Sequence, residues 1–175
     1  VQSEDYEGRF VYQVGEQLEA MYVVHRVSGD MELERLVSLN GDQKQVIRGD
    51  RAVACLEPGK HSISVLEGVG GAVLGARPSV AELQAAYAFE LVEGQRVAGR
   101  DAMLIRVVPR DDLRFGYEIT VDADTALPLR TVMQNVQGER QSEMLFVELK
   151  TGSDIPPIEH DVSALEMTQR DRITV

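Results

Sequence analysis

The residues that could do chemistry are few and scattered. His25, His61 and His160 are the only histidines, and none has a cysteine or a second histidine at metal-ligand spacing. His25 sits in an apolar, strand-like run, where a buried structural imidazole is expected. Cys55, the single cysteine, lies in the run Arg51 to Leu56 and reads as a small hydrophobe rather than a nucleophile. Alone, it forms no intrachain disulfide. Carboxylates are abundant: Asp111-Asp112, Asp122, Asp124, Glu32 and Glu34. Pairs at i and i+2 share one face of a strand and could act as an acid–base dyad. These pairs, however, fall at turns and on outer faces, where solvated charge belongs. Asp122 and Asp124 lack the D-x-D-x-D-G pattern of a calcium loop, and no G-x-S-x-G elbow is present. The stretch Gly68-Val69-Gly70-Gly71-Ala72-Val73-Leu74-Gly75 imitates a nucleotide loop, but Val73 stands where a third glycine is needed and no P-loop lysine follows. It reads as an apolar loop between a strand and a helix, a place for a pocket mouth. No catalytic residue, metal or cofactor is expected, and the chain does not read as an enzyme.

The elements that would position these residues are mostly strands. Turn signals recur at Gly15-Glu16, Ser28-Gly29-Asp30, Asn40-Gly41, Gly49-Asp50, Pro58-Gly59, Gly99-Arg100, Asp111-Asp112, Asp124-Thr125 and Gln137-Gly138, the rhythm of an antiparallel meander. Asn40-Gly41 is the best hairpin signal, since both residues tolerate the positive φ of a type I′ turn. Phe115, Tyr117, Ile119 and Val121 alternate with Arg114, Glu118, Thr120 and Asp122, which predicts a strand with one wet face. Met21 to Val24 and Ala102 to Val108 are apolar on both faces and should be covered twice. One helix is predicted after Pro78, with Ser79 and Glu82 at capping-box spacing and Val80, Leu83 and Tyr87 as its apolar stripe. A weaker second helix could start near Asp161 and run through Leu165 and Met167. The fold class is mainly β (α+β): a single curled antiparallel sheet over a short helix on its concave side. Residues 1–152 are expected to form this domain, and 153–175 a linker or a short C-terminal helix and tail.

Composition narrows the function. Of the 175 residues, 18 are basic and 29 acidic, for a net charge of −11. An acidic surface argues against nucleic acid, because phosphate neutralisation needs basic residues. No apolar run approaches the roughly 20 residues of a membrane helix. If a pocket lies inside the sheet, its candidate lining is Met21, Val23, Leu36, Leu66, Val69, Val73, Leu74, Leu83, Tyr87, Met133 and Met144. Methionines suit a wall that must adapt to different acyl chains.

The order of short motifs adds a resemblance. Tyr6-Glu7-Gly8-Arg9-Phe10-Val11-Tyr12 is similar to the first strand of the MucB/RseB N-terminal domain. Val24-His25-Arg26, Glu34-Arg35-Leu36, Leu39-x-Gly41, Val46-Ile47-Arg48 and Arg96-Val97-Ala98-Gly99-Arg100 continue the likeness. Pro109-Arg110-Asp111, Arg114-Phe115-Gly116-Tyr117 and Asp122-x-x-Thr125-x-Leu127-Pro128-Leu129 follow in the family's order, so that residues 6–150 are covered. The resemblance implies a half-open β-barrel of the LolA/LolB type. It also implies a periplasmic regulator that binds the periplasmic segment of an anti-sigma factor, protects it from site-1 proteolysis and senses lipid or lipopolysaccharide. A lipid or lipoprotein carrier of the LolA/LolB type is the alternative. The implied partners are the anti-sigma periplasmic domain and a lipid or lipopolysaccharide fragment, with a homodimer left open. The family carries a second, smaller C-terminal domain and reaches the periplasm by a signal peptide. The 175 residues are therefore expected to be one domain of a larger protein whose signal peptide has been removed.

Overall fold

A computed structural model describes residues 4–29, 31–42, 44–49, 52–57, 62–67 and 79–158. The strands are β1 (Tyr6–Val14), β2 (Gln17–Ser28), β3 (Met31–Ser38), β4 (Gln45–Arg48), β5 (Ala52–Glu57), β6 (Ser62–Glu67), β7 (Tyr87–Val97), β8 (Arg100–Pro109), β9 (Gly116–Asp122), β10 (Pro128–Gln134) and β11 (Arg140–Thr151). One helix, α1 (Val80–Ala86), precedes β7. The strand order is β6-β5-β4-β3-β2-β1-β11-β10-β9-β8-β7. Each half is thus a meander of sequence-adjacent strands, and the last strand returns beside the first. The mainly β, single-sheet antiparallel class read from the sequence is the class found.

The chain divides into two compact units. The first comprises Arg9–Glu19 and the described part of Arg77–Leu149. Its core is Ala102, Leu104, Val121, Leu127, Leu129, Val132, Phe146 and Leu149, with Phe10 against Phe146 at 5.4 Å between ring centres. The β7–β8 turn is a two-residue type I′ turn: Val97 pairs with Arg100, and Ala98 and Gly99 hold φ of +50° and +77°. Gly99 accepts this geometry freely, whereas Ala98 pays for its Cβ.

The second unit comprises the described parts of Gln2–Gly8, Ala20–Ala76 and Lys150–Val175. Val23, Val24 and His25 are buried in succession on β2, so both faces are covered there, as its apolar composition requires. His25 is the structural imidazole expected. Its ring stacks on Tyr6 at 4.8 Å, and its Nδ1 meets the Glu4 carbonyl at 3.1 Å, which requires the proton on that nitrogen. Asp5 and Arg26 tie the two ends of this unit to β2. The Asp5 carboxylate accepts the Val27 N–H at 2.8 Å and pairs with Arg26 at 3.1 Å. Arg26 also donates to the Ile155 carbonyl, and the Gly152 N–H donates to the Asp5 carbonyl at 3.1 Å.

The structure departs from the sequence expectation in several local features. Asn40-Gly41 does lie in the β3–β4 hairpin, but the loop is longer than two residues. Val37 pairs with Gln45, and the Ser38 N–H closes on the Lys44 carbonyl at 2.9 Å. Of these two, Gly41 has positive φ and Asn40 does not; Asn40 instead accepts the Ala20 N–H on its side chain at 2.7 Å. The face of β9 read as wet carries Thr120 and Asp122, both buried. Helix α1 keeps its capping box, but Tyr87 opens β7 rather than continuing the stripe, and no helix residue is fully buried. Cys55 is half-buried, opposite Val46 and Ser64. His61, His160, the glycine-rich loop and the weaker second helix lie outside the described residues. No helix among the described residues is long and apolar enough to cross a membrane.

Candidate functional site

Cross-strand register places side chains on common faces, because directly paired residues point the same way. In the first unit this builds two rows across five strands, apolar except for Thr131 and Ser142. One row runs Leu91, Ile105, Ile119, Thr131, Met144; the next runs Phe89, Val107, Tyr117, Met133, Ser142. No member of either row is fully buried, and Phe89 and Leu91 on the outermost strand are 47% and 61% exposed. A sheet face that is apolar and left open is a place for an apolar ligand or partner. Val107 and Tyr117 also line an open cleft of about 270 Å³ at the end of these strands, with Pro109, Asp111, Asp112 and Asn135 among its walls.

The opposite face of the same strands is a charge ladder. In register, Glu90, Arg106, Glu118, Val132 and Glu143 lie side by side. Arg106 sits 3.7 Å from Glu90 and 3.6 Å from Glu118. Arg130 reaches from the neighbouring row to Glu118 at 3.8 Å and Glu143 at 2.7 Å. Arg140 pairs with Glu143 as well. Alternating sign gives Glu118 and Glu143 two guanidinium partners each, whereas Glu90 on the outermost strand meets Arg106 alone among the described residues, and Val132 is buried in the same row.

The β9–β10 turn beneath the face is held by Asp122. Its carboxylate accepts from Arg100, from the Asp124 N–H at 3.1 Å, and from the Thr125 N–H and hydroxyl at 2.8 and 2.9 Å. Burial alone would raise this carboxyl. The Arg100 and Thr125 hydrogen bonds outweigh it and hold the group at about 2. The carboxylate is structural, not part of an acid–base pair. In the second unit, His25, Glu34 and Arg48 share one row on the face where Tyr6 stacks. Burial, then the Glu34 carboxylate, pushes the Tyr6 hydroxyl up to about 12.

The expected pocket residues divide between the two units. Met133 and Met144 lie on the apolar rows, and Tyr87 lies at the start of β7 with the alternation of Phe89 and Leu91. Leu83 is half-buried on α1. Met21, Val23 and Leu36 belong to the second unit. There Val23 pairs directly with Leu36 and is fully packed, while Met21 and Leu36 are half-buried. Leu66 sits opposite Val53 in the β5–β6 ladder; Val69, Val73 and Leu74 lie outside the described residues. The residues missed are Phe89, Leu91, Ile105, Val107, Tyr117 and Ile119. Their signal was period-2 alternation, visible in Tyr87-Phe89-Leu91 and Tyr117-Ile119, which marks a strand face but does not say whether that face is covered.

Known proteins share this sequence and fold. The family model described as the MucB/RseB N-terminal domain matches residues 1–166. The sigma factor AlgU regulatory protein MucB of Pseudomonas aeruginosa is 34% identical over 149 residues, 85% of this chain and 46% of that protein. The sigma-E factor regulatory protein RseB of Haemophilus influenzae is 29% identical over 150 residues, 83% of this chain and 47% of that protein. A crystal structure of MucB in complex with MucA(peri) superposes with a TM-score of 0.69 at 32% identity, covering 89% of this chain and 52% of that one. The chain spans about half the length of the curated relatives it matches.

Proposed function

Because the chain belongs to the MucB/RseB family, matched through its N-terminal domain, we propose that it is a regulatory binding module acting on an anti-sigma factor in the periplasm. It holds the anti-sigma factor's periplasmic segment, keeps it from site-1 proteolysis and responds to the acyl chains of lipid or lipopolysaccharide. The observation that carries this reading is the pair of half-buried, mainly apolar rows across β7 to β11, centred on Ile119 and Tyr117 and exposed at Phe89 and Leu91. An open apolar sheet face with methionines at one end suits flexible acyl chains. The relatives' names, and a MucB structure containing MucA(peri), support the partner class.

The test titrates the chain with the periplasmic segment of MucA by calorimetry and follows site-1 cleavage of that segment with and without the chain. Saturable binding and slower cleavage are expected, and lipid A should reverse both. Ile119→Glu, which puts a charge in the middle of the apolar face, should weaken lipid A binding at least tenfold without altering the circular dichroism. Unchanged lipid A binding by that variant would remove the apolar face from the account. Extraction of an acylated lipoprotein from one vesicle and delivery to another, without any effect on proteolysis, would favour a carrier instead.

A further inference from the structure

Strand β7 ends the sheet order, so one of its two backbone edges faces no other strand of the described sheet. In an antiparallel pair, residues alternate between bonding to the partner strand and pointing their backbone groups away. The Arg110 N–H donates to the Ala86 carbonyl at 2.9 Å, in phase with the register that pairs Ala88 with Val108, Glu90 with Arg106 and Val92 with Leu104. These even-numbered residues bond inward, so Tyr87, Phe89 and Leu91 turn their N–H and C=O outward. Tyr87 agrees with that phase: its N–H donates to the Leu83 carbonyl and its carbonyl accepts from Arg110 Nε at 3.3 Å. Helix α1 and Arg110 therefore cap the start of the edge. Its far end is closed by a bulge, where the register shifts between Val92 and Gln95 and Gly94 holds φ of +78°. Between these two stops, the outward backbone groups of Phe89 and Leu91 meet no strand among the described residues. The strand contains neither proline nor lysine, the usual guards of an open edge.

We propose that the Phe89–Leu91 edge takes an extended segment of a partner protein as an added strand, and that this segment reads apolar–basic–apolar. Both faces of the sheet dictate that pattern. On one face, the rows ending at Phe89 and Leu91 continue only if the incoming strand supplies apolar side chains at alternate positions. On the other face, the ladder alternates in sign from Glu143 through Arg130, Glu118 and Arg106 and stops on Glu90 at the edge. The next strand's place in that alternation is a cation. Glu90 is free to meet it, being 60% exposed and only loosely held by Arg106 at 3.7 Å. The chain's net charge of −11 favours approach of a basic segment. Strand addition gives affinity through the backbone and specificity through alternate side chains.

This inference rests on the peptide-binding reading above, and the test keeps the two apart. Backbone amide exchange is followed by NMR on the full chain, alone and saturated with the periplasmic segment of MucA. In the free chain, the Phe89 and Leu91 amides should exchange fast and those of Ala88, Glu90 and Val92 slowly. On saturation, Phe89 and Leu91 should slow at least tenfold. Leu91→Pro removes an outward N–H without touching the β8 ladder and should weaken binding at least tenfold. Glu90→Lys, a surface change that leaves the backbone alone, should do the same. Binding without protection at Phe89 and Leu91, and with both variants unaffected, overturns the edge assignment alone. No binding by the unaltered chain overturns the functional reading and the edge with it. Concentration-dependent protection of these two amides without peptide would give the edge to a second copy of the chain and overturn the partner assignment.

Discussion

Asp122 is the residue on which chemistry and folding are most easily confused. With Asp124 it has the i, i+2 spacing of a dyad, yet it is 1% exposed and spends its oxygens on Arg100, Thr125 and the turn backbone. Its carboxyl is held at about 2 when folded, against about 3.9 unfolded. A depressed carboxyl stabilises the fold above the unfolded value and loses that contribution as pH falls through the folded one. The linkage amounts to about 2 kcal/mol, lost from roughly pH 4 down to 2. Asp122→Asn should therefore cost about 3 kcal/mol near neutrality, where Arg100 loses its partner. It should also flatten the acid limb of urea midpoints measured against pH. Tyr6 works at the other end of the scale. Its hydroxyl is raised to about 12, so the unfolded chain releases the proton first and stability should fall between pH 10 and 12. Tyr6→Phe should abolish that slope and remove a late-titrating component from the absorbance at 295 nm. Ala98 holds a φ of +50° that only its turn demands. Ala98→Gly should gain about 0.5–1 kcal/mol and Gly99→Ala should lose about as much or more, both read from urea unfolding.

At the scale of elements, local grammar was readable and covering was not. The capping box at Ser79 and Glu82 is formed in both directions, with the Glu82 carboxylate on the Ser79 N–H at 2.7 Å. Ser79→Ala should cost the helix about 1 kcal/mol. Because α1 buries none of its residues fully, that loss should appear as faster amide exchange in 80–86, with little change in the global unfolding midpoint. The β9 alternation was correct in period, since Tyr117 and Ile119 do share a face with Met133 and Thr131. The polar side is not wholly wet, since Thr120 and Asp122 are buried there, and a polar residue held by neighbours can be buried. Asn40-Gly41 marked a hairpin but not its loop length, which the β3–β4 register sets and a dipeptide does not.

At the scale of the whole molecule, the acidic surface has a measurable consequence. A net charge of −11 repels anionic headgroups, and salt screens that repulsion over about 10 Å at 0.1 M. Lipid A binding to the apolar face should therefore tighten between 20 and about 300 mM salt, and looser binding would mean that headgroup charge, not the acyl chain, drives the contact. The sequence by itself determined the class of the molecule: strand periods, turn residues, the capping box, the excess of carboxylates and the order of motifs that mark the family. These are properties of neighbours along the chain, and neighbours are what a sequence records. Only the tertiary structure decided which apolar residues are core and which are surface. Val23 and Met133 look alike in the sequence, yet one is sealed and the other lies on an open face. The difference arises from register across five strands, which aligns Leu91, Ile105, Ile119 and Met144 from distant parts of the chain. It arises also from β7 standing last among the described strands, which leaves that row without a neighbouring strand at its end. Burial is a property of what packs against a residue, and that partner is named only when the strands have found their order.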